Sequence, residues 1–120
     1  MSGNDMLREW TKRLGLTDWR IKLNDAMRPQ DMMDENAAGC TEWQEVNKTA
    51  RIEIINPEYY GVRVIPFDYE RILVHELLHL KLCLIAETNG EDSMRERVAH
   101  QIIDDLARAL VDAKRSGRKA

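Results

Sequence analysis

Cysteine is scarce in this sequence: Cys40 and Cys83 are the only two in 120 residues. Two thiols cannot form a disulfide framework, so the chain must fold on its own apolar core. A basic excess is missing as well. The formal net charge is -3, which gives no general affinity for nucleic acid or for acidic membrane surfaces. No apolar run approaches the roughly 18 residues that span a bilayer, and nothing near residue 1 resembles a secretion signal. The expectation is a cytoplasmic protein with both thiols reduced. What is present is ordinary globular composition, 43% hydrophobic and 32% charged. That fits one domain over residues 1–120, with 115–120 as a frayed basic tail.

Hydrophobic spacing predicts an α+β fold. Met6, Leu7, Trp10 and Leu14 recur at helical spacing over residues 5–14, with Asn4 or Asp5 as cap and Gly15 as stop. Residues 19–23 alternate apolar and basic side chains, the pattern of a half-buried strand. Residues 24–39 have no clear period and read as a loop with one short helical turn. Residues 40–46 and 50–55 read as two further strands around a turn at Asn47-Lys48, and Pro57 ends the last. The three strands make a small, mostly antiparallel sheet.

Asp68 is a good helix cap, and a helix is predicted over residues 69–87. It is apolar on most of its circumference, which marks a buried helix. A last helix is predicted over residues 93–114, with Val98, Ile102, Ile103, Leu106, Leu110 and Val111 inward. Trp10, Trp19 and Trp43 read as core or sheet-face anchors, since a base-stacking platform would need a basic surround. One of Tyr59, Tyr60 and Tyr69 could donate to an oxyanion, although tyrosines near a core usually just pack.

Only three histidines occur, and two of them stand in His75-Glu76-Leu77-Leu78-His79. Histidines four apart on a helix share a face, about 6 Å apart along the axis. Both imidazoles can then reach one tetrahedral ion, at roughly 2.0–2.1 Å from each ring nitrogen. Glu76 follows the first histidine, so its carboxylate leans toward the ion without binding it. A zinc ion there acidifies water, and the glutamate takes the proton as that water attacks a carbonyl. The alternative is two core histidines that happen to be four apart. It leaves Glu76 as a costly carboxylate on a buried helix.

Residues on one straight helix cannot surround an ion, so the third ligand must come from elsewhere. Cys83 lies about 12 Å along the axis from His75 and reads as a core residue. Glu96 and His100, four apart on the last helix, are the candidates. The reading takes Glu96 as third ligand and His100 as the alternative. If Glu96 ligates, His100 becomes a supporting group or a transition-state donor. Ser93-Met94-Arg95-Glu96 also has the form of a capping box, which would occupy Glu96. Glu91 is a weaker third choice.

The order of helix, small sheet, helix bearing His-Glu-Leu-Leu-His and helix opening with a glutamate resembles the minimal zincin-like metallopeptidases. It is most similar to the ImmA/IrrE-type family and related small phage and prophage proteins. The resemblance spans residues 19–110 in outline, and its specific part is His75, Glu76 and His79. In that family a glutamate on the following helix is the third zinc ligand, and Glu96-Arg97-Val98-Ala99 fits the pattern. His100 stands where the family often has asparagine. The resemblance implies a bacterial or phage origin and a protein or peptide substrate, in some members a transcriptional regulator. It also implies a sheet edge that binds extended peptide; the strand over residues 51–55 is the candidate.

The leading expectation is therefore a zinc-dependent metallopeptidase hydrolysing a peptide bond in a protein partner, with no membrane or nucleic-acid role. A zinc-containing regulatory module without turnover is the alternative. A third possibility is a structural site closed by His75, His79, Glu96 and His100 together.

Overall fold

The computed structural model describes residues 2–83 and 94–117. It has an N-terminal helix, a three-stranded sheet and two further helices, the α+β arrangement predicted from the sequence. Helix α1 (Gly3–Arg13) is capped by Ser2, not by Asn4 or Asp5. The Ser2 hydroxyl accepts the Asp5 N–H, and the Asp5 carboxylate accepts the Ser2 N–H in return, a reciprocal capping box.

Strand β1 (Arg20–Met27) runs four residues beyond the predicted five. Its pairing shifts between Asn24 and Met27, where Ala26 adopts φ 56°. This bulge absorbs an extra residue and lets pairing resume at Met27. Residues 28–38 follow, with a short 3-10 turn at Pro29–Asp31. Then β2 (Gly39–Gln44) and β3 (Thr49–Ile55) form a hairpin. Lys48, with φ 52°, lies in its turn.

The strand order is β1-β3-β2, so β3 is central. The β2–β3 pair is antiparallel, while β1 lies parallel to β3, making the sheet mixed. The parallel pairing follows from the 28–38 connection, which carries the chain past the end of β3's future position before the hairpin folds back between its neighbours. The buried Glu53 carboxylate on β3 accepts the Met33 N–H from that connection at 2.8 Å. The strand over residues 51–55 is thus bonded on both sides and has no free edge for a peptide. The edge on the hairpin side belongs to β2.

One face of the sheet carries Ala50, Ile52 and Ile54 into the main core. Helix α2 (Tyr69–Lys81) lies there, capped by the Asp68 side chain, which accepts the Arg71 N–H at 3.2 Å. It is buried through Ile72, Leu73, Val74, Leu77, Leu78 and Leu80. It ends at Lys81, earlier than predicted, where Leu82 turns to φ -108° and ψ 9°. The predicted continuation to 87, the Asn89-Gly90 stop, Glu91 and Ser93 lie outside the described residues.

Helix α3 (Met94–Gly117) packs across α2. Ile103, Ala107 and Val111 are its buried stripe. Val98, Ile102 and Leu106, predicted inward, are exposed. They lie on a different side of the helix, because 3.6 residues per turn separates adjacent positions such as 102 and 103 by about 100°. The helix also continues through Gly117. Lys114 is buried there, bonded to Glu9 and Glu70, and Arg115 grips Asp68 through two hydrogen bonds of 2.8 and 2.9 Å. Residues 118–120 of the basic tail lie outside the described residues. No helix among the described residues is long and apolar enough to cross a membrane.

Candidate metal centre

Alternation along β2 sends Gly39, Thr41 and Trp43 toward α2, and the helical repeat of α2 answers with Ile72, Glu76 and His79. A β-carbon on Gly39 would lie 2.8 Å from Ile72 Cγ2 and 2.9 Å from Glu76 Oε2, so only glycine lets the strand come this close. Thr41 donates its hydroxyl to the Glu76 carboxylate. The Trp43 ring stacks on His79 with centroids 6.4 Å apart.

The adjacent side of α2 faces α3. His75 and His79 have ring centroids 5.2 Å apart, and His100 approaches them at 6.4 and 5.1 Å. One nitrogen from each of His75, His79 and His100 lies within 4.8 Å of the others. Asp104, one turn beyond His100, lies 3.5 Å from His75 Nδ1. These groups line a cleft of about 770 Å³, with Thr41 and Trp43 on its strand wall and Arg63 and Arg71 also in its lining.

Burial dominates the electrostatics. It lowers the basicity of His75, against the opposing pull of Asp104. It pushes His79 down to about 4, helped by the neighbouring His75 and His100. Both rings are therefore neutral at pH 7, the form that binds cations. Glu76 is buried and has a hydroxyl, not a cation, as its bonded partner. Its carboxyl is pushed up to about 7 by burial, against the Thr41 hydrogen bond. A carboxyl titrating near neutral pH is matched to general acid–base work.

The donor set suits a divalent ion. Three imidazoles are a recurrent catalytic zinc shell, with the fourth position left for water or substrate. A tetrahedral ion at about 2.0–2.1 Å places ligand nitrogens roughly 3.4 Å apart, so the cluster is somewhat wider than the bound arrangement requires. His75, Glu76 and His79 line one cleft. Glu96 lines the same cleft one turn before His100, but the group of converging ligand atoms among the described residues contains His100. Cys83 is buried, as expected, and also lines the cleft. Tyr60 lines the cleft too, yet its hydroxyl donates to the Ile65 carbonyl at 2.7 Å. Tyr69 donates to Asp25 at 2.7 Å, and Tyr59 is exposed.

Sequence reasoning missed Thr41, Trp43, Arg71 and Asp104. The first two depend on which face of β2 meets the helix. Asp104 carries one legible signal, its spacing of four from His100.

Fold and site together define an α+β protein with a histidine triad that could coordinate a metal ion. Comparison with known proteins adds no relative: no protein family, curated protein or solved structure matches the chain.

Proposed function

We propose that this protein is a zinc-dependent metallopeptidase in which His75, His79 and His100 hold the ion and Glu76 is the general base. The observation that carries the reading is the convergence of three imidazoles beside a buried carboxylate whose bonded partner is the Thr41 hydroxyl. A zinc ion, when bound, would polarise the substrate carbonyl and acidify water. Glu76 accepts the proton of the attacking water and delivers it to the leaving amine. Thr41 holds the carboxylate in place, and the surrounding apolar side chains limit access of bulk water. The outer edge of β2, an end strand of the sheet whose residues line the cleft, offers backbone groups to an extended peptide.

His100 is taken as third ligand because its nitrogen converges with the other two. Glu96, on the same cleft, is the competing assignment. Zinc content measured on wild type, Glu96→Ala and His100→Ala decides between them. About one zinc per chain in wild type and in Glu96→Ala, lost in His100→Ala, is the expected result. Zinc retained by His100→Ala and lost by Glu96→Ala would reverse the assignment. No zinc in reconstituted wild type would sink the metal reading.

Turnover needs its own test, because a regulatory module could bind zinc without cleaving anything. Wild type should cleave members of a mixed peptide library, while Glu76→Gln should bind zinc and cleave none. Cleavage retained by that variant would remove Glu76 from the role of base.

A further inference from the structure

The carboxylate of Asp104 is placed to act on the centre without touching the ion. Oδ1 lies 3.5 Å from His75 Nδ1 and 3.4 Å from an Arg71 guanidinium nitrogen. Oδ2 accepts from Arg108 at 3.0 Å. Arg71 and His75 are four apart on α2, and His100 and Asp104 are four apart on α3. Each helix therefore presents a ligand and a supporting charged residue on one face. The carboxylate is held from both helices: Arg71 comes from α2 and Arg108 from its own helix.

A neutral imidazole carries a proton on one nitrogen and a lone pair on the other, and only the lone pair can bind a cation. Which nitrogen holds the proton is set by the partner of the other. We infer that Asp104 is a positioning residue for His75, keeping the proton on Nδ1 so that the Nε2 lone pair faces the ion. The inference rests on the metal-site reading above. It assigns Asp104 two effects: choosing the tautomer and fixing the ring plane. Arg71 and Arg108 balance the carboxylate's charge and limit its rotation, so the acceptor is in place before any ion arrives.

Tautomer and affinity can be read separately. Long-range proton–nitrogen correlation spectra of the metal-free protein at pH 7.5 report the tautomer of His75, with His75→Gln identifying its signals. Wild type and Asp104→Asn should show the Nδ1–H form, since the asparagine oxygen still accepts. Asp104→Ala should shift toward Nε2–H. Zinc affinity, measured by chelator competition, should fall by about 10- to 100-fold in Asp104→Ala and by only a few-fold in Asp104→Asn.

An unchanged tautomer in Asp104→Ala would overturn the inference, whatever the affinity does. An equal loss of affinity in both variants would also overturn it, because a lost charge would then explain the effect. If wild type binds no zinc, the metal reading fails, while the metal-free spectra still decide whether Asp104 sets the tautomer.

Discussion

Glu70 and Glu76 lie six residues apart on α2 and are almost equally buried, at 5% and 6% exposure. Their environments drive them in opposite directions. Burial alone would raise the Glu70 carboxyl, but bonds from Lys114 and Trp10 leave it below its ordinary value of 4.5. Its contribution to stability is present above that value and lost as pH falls through the folded one. Glu76 has no such cation, and burial pushes it up to about 7. Its sign is reversed: folding is favoured while the carboxyl is protonated, below about 4.5, and that advantage is lost as pH rises to 7. Metal-free Glu76→Gln should therefore be more stable than metal-free wild type at pH 8 and close to it at pH 4.5. At about 1.4 kcal/mol per tenfold change in proton affinity, the gain is bounded at about 3 kcal/mol. Urea unfolding of both proteins with chelator present measures it, and a constant difference across this range would show that Glu76 is not desolvated.

At the scale of elements, the centre depends on how close β2 comes to α2. Adding one methyl at Gly39 forces Ile72 or the Glu76 carboxylate to move. Under the proposed function, Gly39→Ala should keep its zinc, because none of the proposed ligands lies on that strand, and lose about 10-fold or more in kcat, equivalent to roughly 1.4 kcal/mol of barrier. Unchanged kcat would mean that the strand yields and the carboxylate holds its position. Helix α3 offers a sharper comparison. Ile103 is 1% exposed and Ile102 is 49% exposed, although the two are adjacent. Ile103→Ala should cost about 3 kcal/mol in chemical denaturation, and Ile102→Ala no more than about 0.5 kcal/mol. Equal costs would place the helix in a different rotation about its axis, and His100 with it.

Across the whole molecule, α3 is secured near both ends. Its first half meets α2 at the histidine cluster. Its last turns meet α1 and α2 through Lys114, whose ammonium bonds Glu9 at 2.9 Å, pairs with Glu70 and lies 5.5 Å from the centre of the Trp10 ring. The Lys114 side chain is 2% exposed, whereas that of Arg115 is 45% exposed. Lys114→Ala should cost about 3 kcal/mol, because it leaves a buried carboxylate without its closest cation. Arg115→Ala should cost less than about 1 kcal/mol, the usual worth of an exposed pair. Thermal unfolding of the two variants tests this ranking, and a reversal would show that Lys114 is not buried in solution.

Local signals are what the sequence determines by itself. The order of helices and strands is legible because amphipathic spacing, the Asp68 cap and the turn at Asn47-Lys48 act over a few residues. His75, Glu76 and His79 are legible because one helical turn places both histidines on one face, whatever surrounds them. Tertiary structure alone decides the rest. Whether β3 is central or at an edge depends on pairing with β1 across 28 residues of sequence, as between Ile21 and Ala50, and no local pattern encodes that choice. Whether α3 turns Ile102 or Ile103 inward depends on its rotation against α2, since both are equally apolar. That rotation brings His100 to the pair on α2 and Asp104 to the back of His75. It also draws Lys114, at the start of a basic run, into the interior, because buried Glu70 lacks an equal partner until the last helix docks.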